Sequence, residues 1–412
     1  MASKPAFFSY EKYNWFTIRR FIFDGLWVDL NFITEPMKLQ KPMKNIFLIL
    51  FLLVPGLIYG QGLEFFSNSR LVLGGSIAKS ASISSGDIDL DGDIDIVLAN
   101  GRHWPQANQI FYNNGLGIFT VAKPLYSIEE TSYATELADF DGDGDLDVAV
   151  GNDMAPNAIY INDGRGNFSR AGGFGNPYAP TRNLKTIDID SDGDIDILIT
   201  NRGRVNEICL NNGKGEFTET VNFGSKDDST IDVDVADINK DGQKDLILAN
   251  RDGQQNFIYL NDGSLNFTKK IPFGTGTDET RAVGVVDIDG DGNLDLITSN
   301  IQEPNIIYFG TEQLDFSRKV VFDPSSDNSY SLDFGDLDGN GSMDIVVGNS
   351  GEPNKVFLNF DSGSSWTEIK LRNEESNTYD IILTDLNNDQ RLDIVESNSD
   401  EINYYYLNRV KK

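Results

Sequence analysis

The chain has 412 residues and a formal charge of -30, with 64 Asp or Glu against 34 Lys or Arg. That balance excludes a nucleic-acid binder, which needs a basic footprint against phosphate. One cysteine, Cys209, excludes an internal disulfide framework; its setting in the strand-like "NEICLNN" reads as a buried structural side chain.

Residues 1–42 have no counterpart in the rest of the chain and read as an over-long gene start. Residues 43–60, "MKNIFLILFLLVPGLIYG", open with Met43 and Lys44, run apolar from Ile46 to Tyr59 and end in small residues. This is the pattern of an export signal cleaved before Gln61. The apolar stretch is shorter than the roughly twenty residues of a bilayer span. The mature chain, residues 61–412, is therefore expected outside the cell or at its surface, with no membrane span.

At Gly86 the sequence becomes "GDIDLDGDIDIVLAN", in which Asp87, Asp89, Asp91, Asp93 and Asp95 alternate with other residues. Carboxylates this close cannot all stay ionised without a counter-charge. A hard cation that takes six to eight oxygens, calcium above all, supplies it, and Gly92 at the sixth place permits the sharp bend. The nine-residue frame returns as Asp139, Asp141, Asp143, Asp145 and Asp147, then as Asp188, Asp190, Asp192, Asp194 and Asp196. It continues as Asp237, Asn239, Asp241, Gln243 and Asp245, and as Asp287, Asp289, Asp291, Asn293 and Asp295. It ends as Asp336, Asp338, Asn340, Ser342 and Asp344, and as Asp385, Asn387, Asp389, Arg391 and Asp393. Seven copies at intervals of 49 to 52 residues make an internal repeat, the signature of a solenoid, propeller or array.

An EF-hand loop opens similarly but needs a Glu at its twelfth place and a helix on either side. The twelfth places here are Leu98, Val150, Ile199, Leu248, Thr298, Val347 and Glu396. Each loop runs instead into a short β-branched stretch such as "DIVVGN", which reads as a strand buried on both faces. Side-chain oxygens at places one, three, five and nine, with the carbonyl of place seven, are expected to enclose the ion. The rest of each period supplies two more strands joined by Asn-Gly or Asp-Gly hairpins, as in "NDGRGNFSRAG". Four antiparallel strands repeated seven times predict an all-β, seven-bladed β-propeller. The last unit, ending "NYYYLNRVKK", is one strand short, and "GLEFFSNSR" near Leu63 resembles the missing outer strand. That N-terminal strand is expected to complete the seventh blade and close the ring, removing an exposed edge.

The Asp-x-Asp-x-Asp-Gly-x-x-Asp loop, the "DIVVGN" strand and the "NDGxGxF" hairpin resemble FG-GAP and VCBS-type repeats, known from the integrin alpha-subunit propeller and many secreted bacterial proteins. The resemblance implies calcium at the matching places of up to seven loops on one face. Gln390 stands where the bend glycine is expected, and Asn239, Asn340 and Asn387 replace aspartates, so the loops starting at Asp237, Asp336 and Asp385 are expected to hold the ion more weakly.

The opposite face should carry the turns between second and third strands. One of these, "GRHWPQA", holds the only histidine. Arg102, His103, Trp104, Tyr178, Arg182, Arg202, Arg204 and Arg251 form the candidate ligand-binding set. Guanidinium groups pair with carboxylates and sulfates, and aromatic faces stack on sugar rings. The expected function is a monomeric calcium-binding adhesion module for a glycan or an extracellular protein. The alternative is a polysaccharide lyase or hydrolase using His103 or Tyr178 as general base. The sequence contains no nucleophile elbow, phosphate loop or zinc constellation.

Overall fold

The computed structural model describes residues 62–411 and, before them, two short strands, β1 (Ile22–Phe23) and β2 (Leu26–Trp27), which pair antiparallel. The expected export signal, residues 43–60, lies outside the described residues. Gly62–Lys412 forms one compact unit.

That unit is built from four-stranded antiparallel blades. The first contains β4 (Ala78–Gly86), β5 (Asp95–Asn100), β6 (Gln109–Tyr112) and β7 (Val121–Pro124). The second has β8 (Ser132–Ala138), β9 (Asp147–Asn152), β10 (Ala158–Ile161) and β11 (Ser169–Gly172). The pattern continues with innermost strands β12 (Thr181–Ile187), β16 (Thr230–Ala236), β20 (Thr280–Val286), β24 (Ser329–Gly335) and β28 (Ser376–Thr384). The seventh blade consists of β28, β29 (Asp393–Glu401), β30 (Tyr405–Val410) and the N-terminal β3 (Leu63–Phe66). Leu63 pairs with Val410 and Phe66 with Leu407, so the closing strand falls where the sequence placed it.

Second strands such as Asp95–Asn100 are buried at every residue, and the packing explains why. Ile96 and Leu98 enter a cluster with Val395 and Tyr405 of the seventh blade, whereas Val97 between them enters a cluster with Val148 and Tyr160 of the second. Successive side chains of a strand point to opposite faces, and each face here meets a neighbouring blade, so an unbroken apolar run is required. Seven such clusters each join two neighbouring blades. Each fully buried Ile, Leu or Val contributes about 1.5–3 kcal/mol. The outermost strands Val121–Pro124 and Ser169–Gly172 are exposed throughout. Cys209 is buried in the cluster between the second and third blades, and burial pushes its thiol up to about 12. Among the described residues no helix is long and apolar enough to cross a membrane.

Candidate functional site

Each Asp loop connects the innermost strand of a blade to the second, and its fold follows from where its carboxylates find N–H donors. Asp87 accepts from the amides of Asp91 and Gly92 at 3.1 and 3.0 Å, curling the chain around its side chain. Asp91 accepts from the amide of Asp93 at 3.0 Å. Asp95, at the head of β5, accepts from Ile88 at 3.3 Å and from Asn113 at 2.8 Å, tying the loop to the end of the third strand. The same bonds recur at Asp139, Asp143 and Asp147, and at Asp188, Asp192 and Asp196.

Carboxylate oxygens converge to within 4.8 Å of one another at Asp87, Asp89 and Asp95, and likewise at Asp139, Asp141 and Asp147, at Asp188, Asp190 and Asp196, and at Asp336, Asp338 and Asp344. In the fifth loop the trio is Asp287, Asp289 and Asp291. Places one, three and nine thus provide the convergent carboxylates in four loops, while place five also turns the backbone. This distinguishes the substituted loops. Asn340 sits at place five and leaves the trio at Asp336, Asp338 and Asp344 whole, whereas Asn239 and Asn387 stand at place three, and no carboxylate trio forms in their loops among the described residues. At place seven, the Asp93 carboxylate accepts from Asn388 of the adjoining blade at 3.1 Å. Asp145, Asp194, Gln243, Asn293, Ser342 and Arg391 occupy the equivalent place.

The trios fit a hard cation on their own geometry. Asp89 and Asp141 each bury an Oδ1 that has no hydrogen-bond partner, a state that costs about 1–3 kcal/mol or more for a charged group unless something else satisfies it. Burial, then the neighbouring Asp91 and Asp87, push the Asp89 carboxyl up, and burial first raises Asp95 to about 7. Oxygen-only donors with unsatisfied negative charge suit calcium rather than a softer metal.

Neighbouring loops are tied together by a residue that the sequence reading passed over. Asn162 at the end of β10 donates its side-chain amide to the carbonyl of Ile88 in the preceding blade at 2.8 Å. Asn211 does the same to Phe140, Asn359 to Ile288 and Asn408 to Leu337. Asn113 donates to Leu386 at 2.7 Å, bringing the first loop against the seventh. The visible signal was the Asn just past the third strand in "YIND" and "CLNN" and within it in "YLNR".

The other end of the innermost strands has a different character. These strands enclose a channel-like cavity of about 280 Å³, lined near this end by Tyr133, Arg182, Arg281, Tyr330 and Tyr379. The Arg102 guanidinium lies 3.8 Å over the Tyr379 ring, and Tyr379 meets Tyr330 edge to face at 4.9 Å. His103 lies 3.2 Å from the Tyr133 hydroxyl, and the Arg182 guanidinium sits 4.4 Å over the same ring while pairing with Asp153 at 2.8 Å. Burial and the adjacent Arg102 hold His103 below the ordinary imidazole range.

Of the candidate ligand residues, Arg102, His103 and Arg182 therefore gather around Tyr133 and Tyr379. Trp104 and Tyr178 stand 70% exposed on adjoining loops. Arg202 is engaged by Asp252 at 2.7 Å, and Arg251 lies 3.5 Å from Asp252 and 3.9 Å from Glu279. Arg204 is exposed. Arg281, Tyr133, Tyr330 and Tyr379 were not singled out from sequence, because nothing in a single strand says which side faces the channel.

An FG-GAP-like repeat model matches overlapping spans from residue 87 to residue 396, at 87–150, 139–199, 188–248, 237–298, 287–347 and 336–396. Among solved structures the chain is similar to BBS1N crystallised in complex with ARL6DN, at 10% identity and a TM-score of 0.57, covering 84% of this chain and 96% of that one. It is also similar to Raptor of Chaetomium thermophilum, at 12% identity and a TM-score of 0.53, covering 84% of this chain and 29% of that one. No curated protein sequence matches the chain.

Proposed function

The chain belongs to the FG-GAP-like repeat family, and from that premise we propose that it is an exported, calcium-loaded binding module whose glycan or protein ligand docks on the rim opposite the Asp loops. The observation that carries this reading is the contrast between the rims. The Asp loops repeat around the ring, as a shared structural device does, whereas Arg102, His103 and Trp104 occur in one loop only, and Arg102 and His103 gather with channel residues of other blades. A cationic and aromatic mouth on a chain of charge -30 suits an acidic or sugar-like ligand. BBS1N was crystallised in complex with ARL6DN, so a chain of similar fold is found holding a partner protein.

Export and calcium support each other. Extracellular calcium modules bind in the range of about 0.1–1 mM, so the loops would fill outside a cell and stay largely empty inside. A glycan array with and without calcium tests the reading. Calcium-dependent binding to an acidic or neutral glycan is expected; no hit on any uronate, sulfated or neutral glycan would leave a protein as the ligand.

One observation favours an enzymatic reading: His103, whose imidazole burial and Arg102 hold below its ordinary range, lies 3.2 Å from the Tyr133 hydroxyl beside Arg182. A lyase could use such an imidazole as base next to a guanidinium that neutralises a uronate carboxylate. Absorbance from unsaturated products on a panel of acidic polysaccharides would reveal it, and His103→Ala would abolish it.

A further inference from the structure

The channel contains both signs of charge, so the identity of its ligand depends on which groups are already engaged. Most of its carboxylates accept backbone amides of the next blade. Asp232 accepts from Val283 and Asp234 from Val285, both at 3.0 Å. Asp333 accepts from Leu383 at 2.8 Å, and Asp380 from Ile83 at 2.9 Å. They staple neighbouring innermost strands, which share no β-ladder with one another, and Ser331 adds a second tie by accepting from the Ile381 amide at 3.3 Å. Lys185 is engaged by Asp234 at 2.8 Å, and Arg182 by Asp153.

Two cations remain. Among the described residues, neither the Arg102 nor the Arg281 guanidinium forms an ion pair or donates a hydrogen bond, and the Nε of Arg102 is buried without a partner. They are linked through the tyrosines. Arg102 lies 3.8 Å over Tyr379, Tyr379 meets Tyr330 at 4.9 Å, and Arg281 lies 5.5 Å over Tyr330. A guanidinium does not deprotonate in a protein and has a planar fork of donors that matches a carboxylate. Asp232 and Asp380 act on Arg281 and Asp400 on Arg102 only at longer range; desolvated cations without a closed ion pair are costly, and stacking on phenol rings offsets only part of that cost. Their arrangement is explained if an anion from outside completes it.

Resting on the reading of this rim as the binding face, we propose that Arg102 and Arg281 form a seat for the carboxylate of a uronic-acid oligosaccharide. The carboxylate enters the mouth beside the Tyr379–Tyr330 pair that the two guanidiniums flank, and the stapled carboxylates Asp232 and Asp380 below repel it from going deeper. Flanking sugars find the exposed rings of Trp104, next to His103, and of Tyr178. A peptide is the less favoured occupant, because the mouth presents rings and charged forks rather than the backbone pairing edge by which extended peptides are usually held.

The test is calorimetric titration of the intact chain in 1 mM calcium with short, non-gelling oligomers of galacturonate, glucuronate and mannuronate, with their methyl esters, with a sulfated oligosaccharide and with a hexaglutamate peptide. At least one uronate series is expected to bind, to lose affinity at least about tenfold on esterification, and to lose about tenfold again in Arg281→Gln and in Arg102→Gln, as suits loss of a charge-assisted contact. Arg281→Lys, which keeps the charge without the fork, should fall between the parent and Arg281→Gln, and Lys370→Gln, exposed on the outer strand of the sixth blade, should bind as the parent does. Melting curves identify any variant that has not folded. Binding unchanged in both glutamine variants, or confined to the ester, the sulfated sugar or the peptide, overturns the carboxylate seat but leaves the binding-module reading intact. Failure of every glycan both here and on the array removes the glycan reading as well.

Discussion

The side-chain amide of Asn403 donates to the hydroxyl of Ser80 across 3.1 Å, although 323 residues separate them. Ser80 in turn donates to Asn100 at 2.8 Å, and the same amide-to-hydroxyl bond joins Asn206 to Thr230, Asn256 to Thr280, Asn305 to Ser329 and Asn354 to Thr378. Neighbouring blades are thus hydrogen-bonded near the rim opposite the Asp loops as they are near the loop rim. Asn403 also accepts from the buried amide of Asn398 at 2.6 Å. Asn403→Ala strands that amide and removes one of the bonds across the last joint of the ring, so unfolding in denaturant should show a loss of about 1–3 kcal/mol. A midpoint equal to that of the parent would mean the relay contributes nothing to closure.

The bend of the seventh loop is made by Gln390, at φ 66°, where Gly92 makes the equivalent bend of the first at φ 92°. Its amide still reaches Asp385 at 2.7 Å, so the loop keeps its shape at the cost of a left-handed non-glycine residue. That conformation costs roughly 1–2 kcal/mol, partly offset in a glycine variant by greater freedom of the unfolded chain. Gln390→Gly should therefore stabilise by about 0.5–1 kcal/mol and tighten calcium binding at this loop. A destabilised variant would show that the Gln side chain supplies something the backbone geometry does not.

Much of this organisation was legible in the sequence. The nine-residue frame gave the repeat and the loop chemistry, and the missing outer strand after "NYYYLNRVKK" pointed to Leu63–Phe66 as the closing strand. Strongly periodic, local features carry such information because place in the repeat fixes place in the fold. The joints between blades were not legible in this way. Asp232 and Asp380 look like ordinary polar residues of an alternating strand, and only the ring shows that they accept amides of the next blade. The rim opposite the Asp loops was half legible: the odd loop "GRHWPQA" was identified, but Arg281 and Tyr330, brought to it from other blades, carry no mark in their own segments.

Glu136 projects into the channel, and burial raises its carboxyl from 4.5 to about 7, with Lys185 opposing and Asp380 and Asp232 adding to the rise. A carboxyl raised on folding holds a proton that the unfolded chain releases. The stability it contributes is present below about pH 4.5 and lost as pH rises through about 7. Because water in the channel screens part of the charge, Glu136→Gln should be more stable than the parent by about 1–2 kcal/mol at pH 8. The difference should vanish towards pH 5, both measured in saturating calcium so that the loops stay filled. Identical pH profiles would remove Glu136 as a source of strain.

The whole account depends on cations satisfying loops whose convergent carboxylates, such as Asp89 and Asp141, otherwise keep buried oxygens without partners. With a dissociation constant of roughly 0.1 mM and ~1 mM calcium, each filled site adds about 1.4 kcal/mol, or about 7 kcal/mol for the five loops with convergent trios. The direct test is calorimetric melting of the calcium-loaded chain and of the same chain after exhaustive EDTA dialysis. The account predicts a fall in Tm of more than about ten degrees, reversed by returning calcium. A melt that does not move would contradict it.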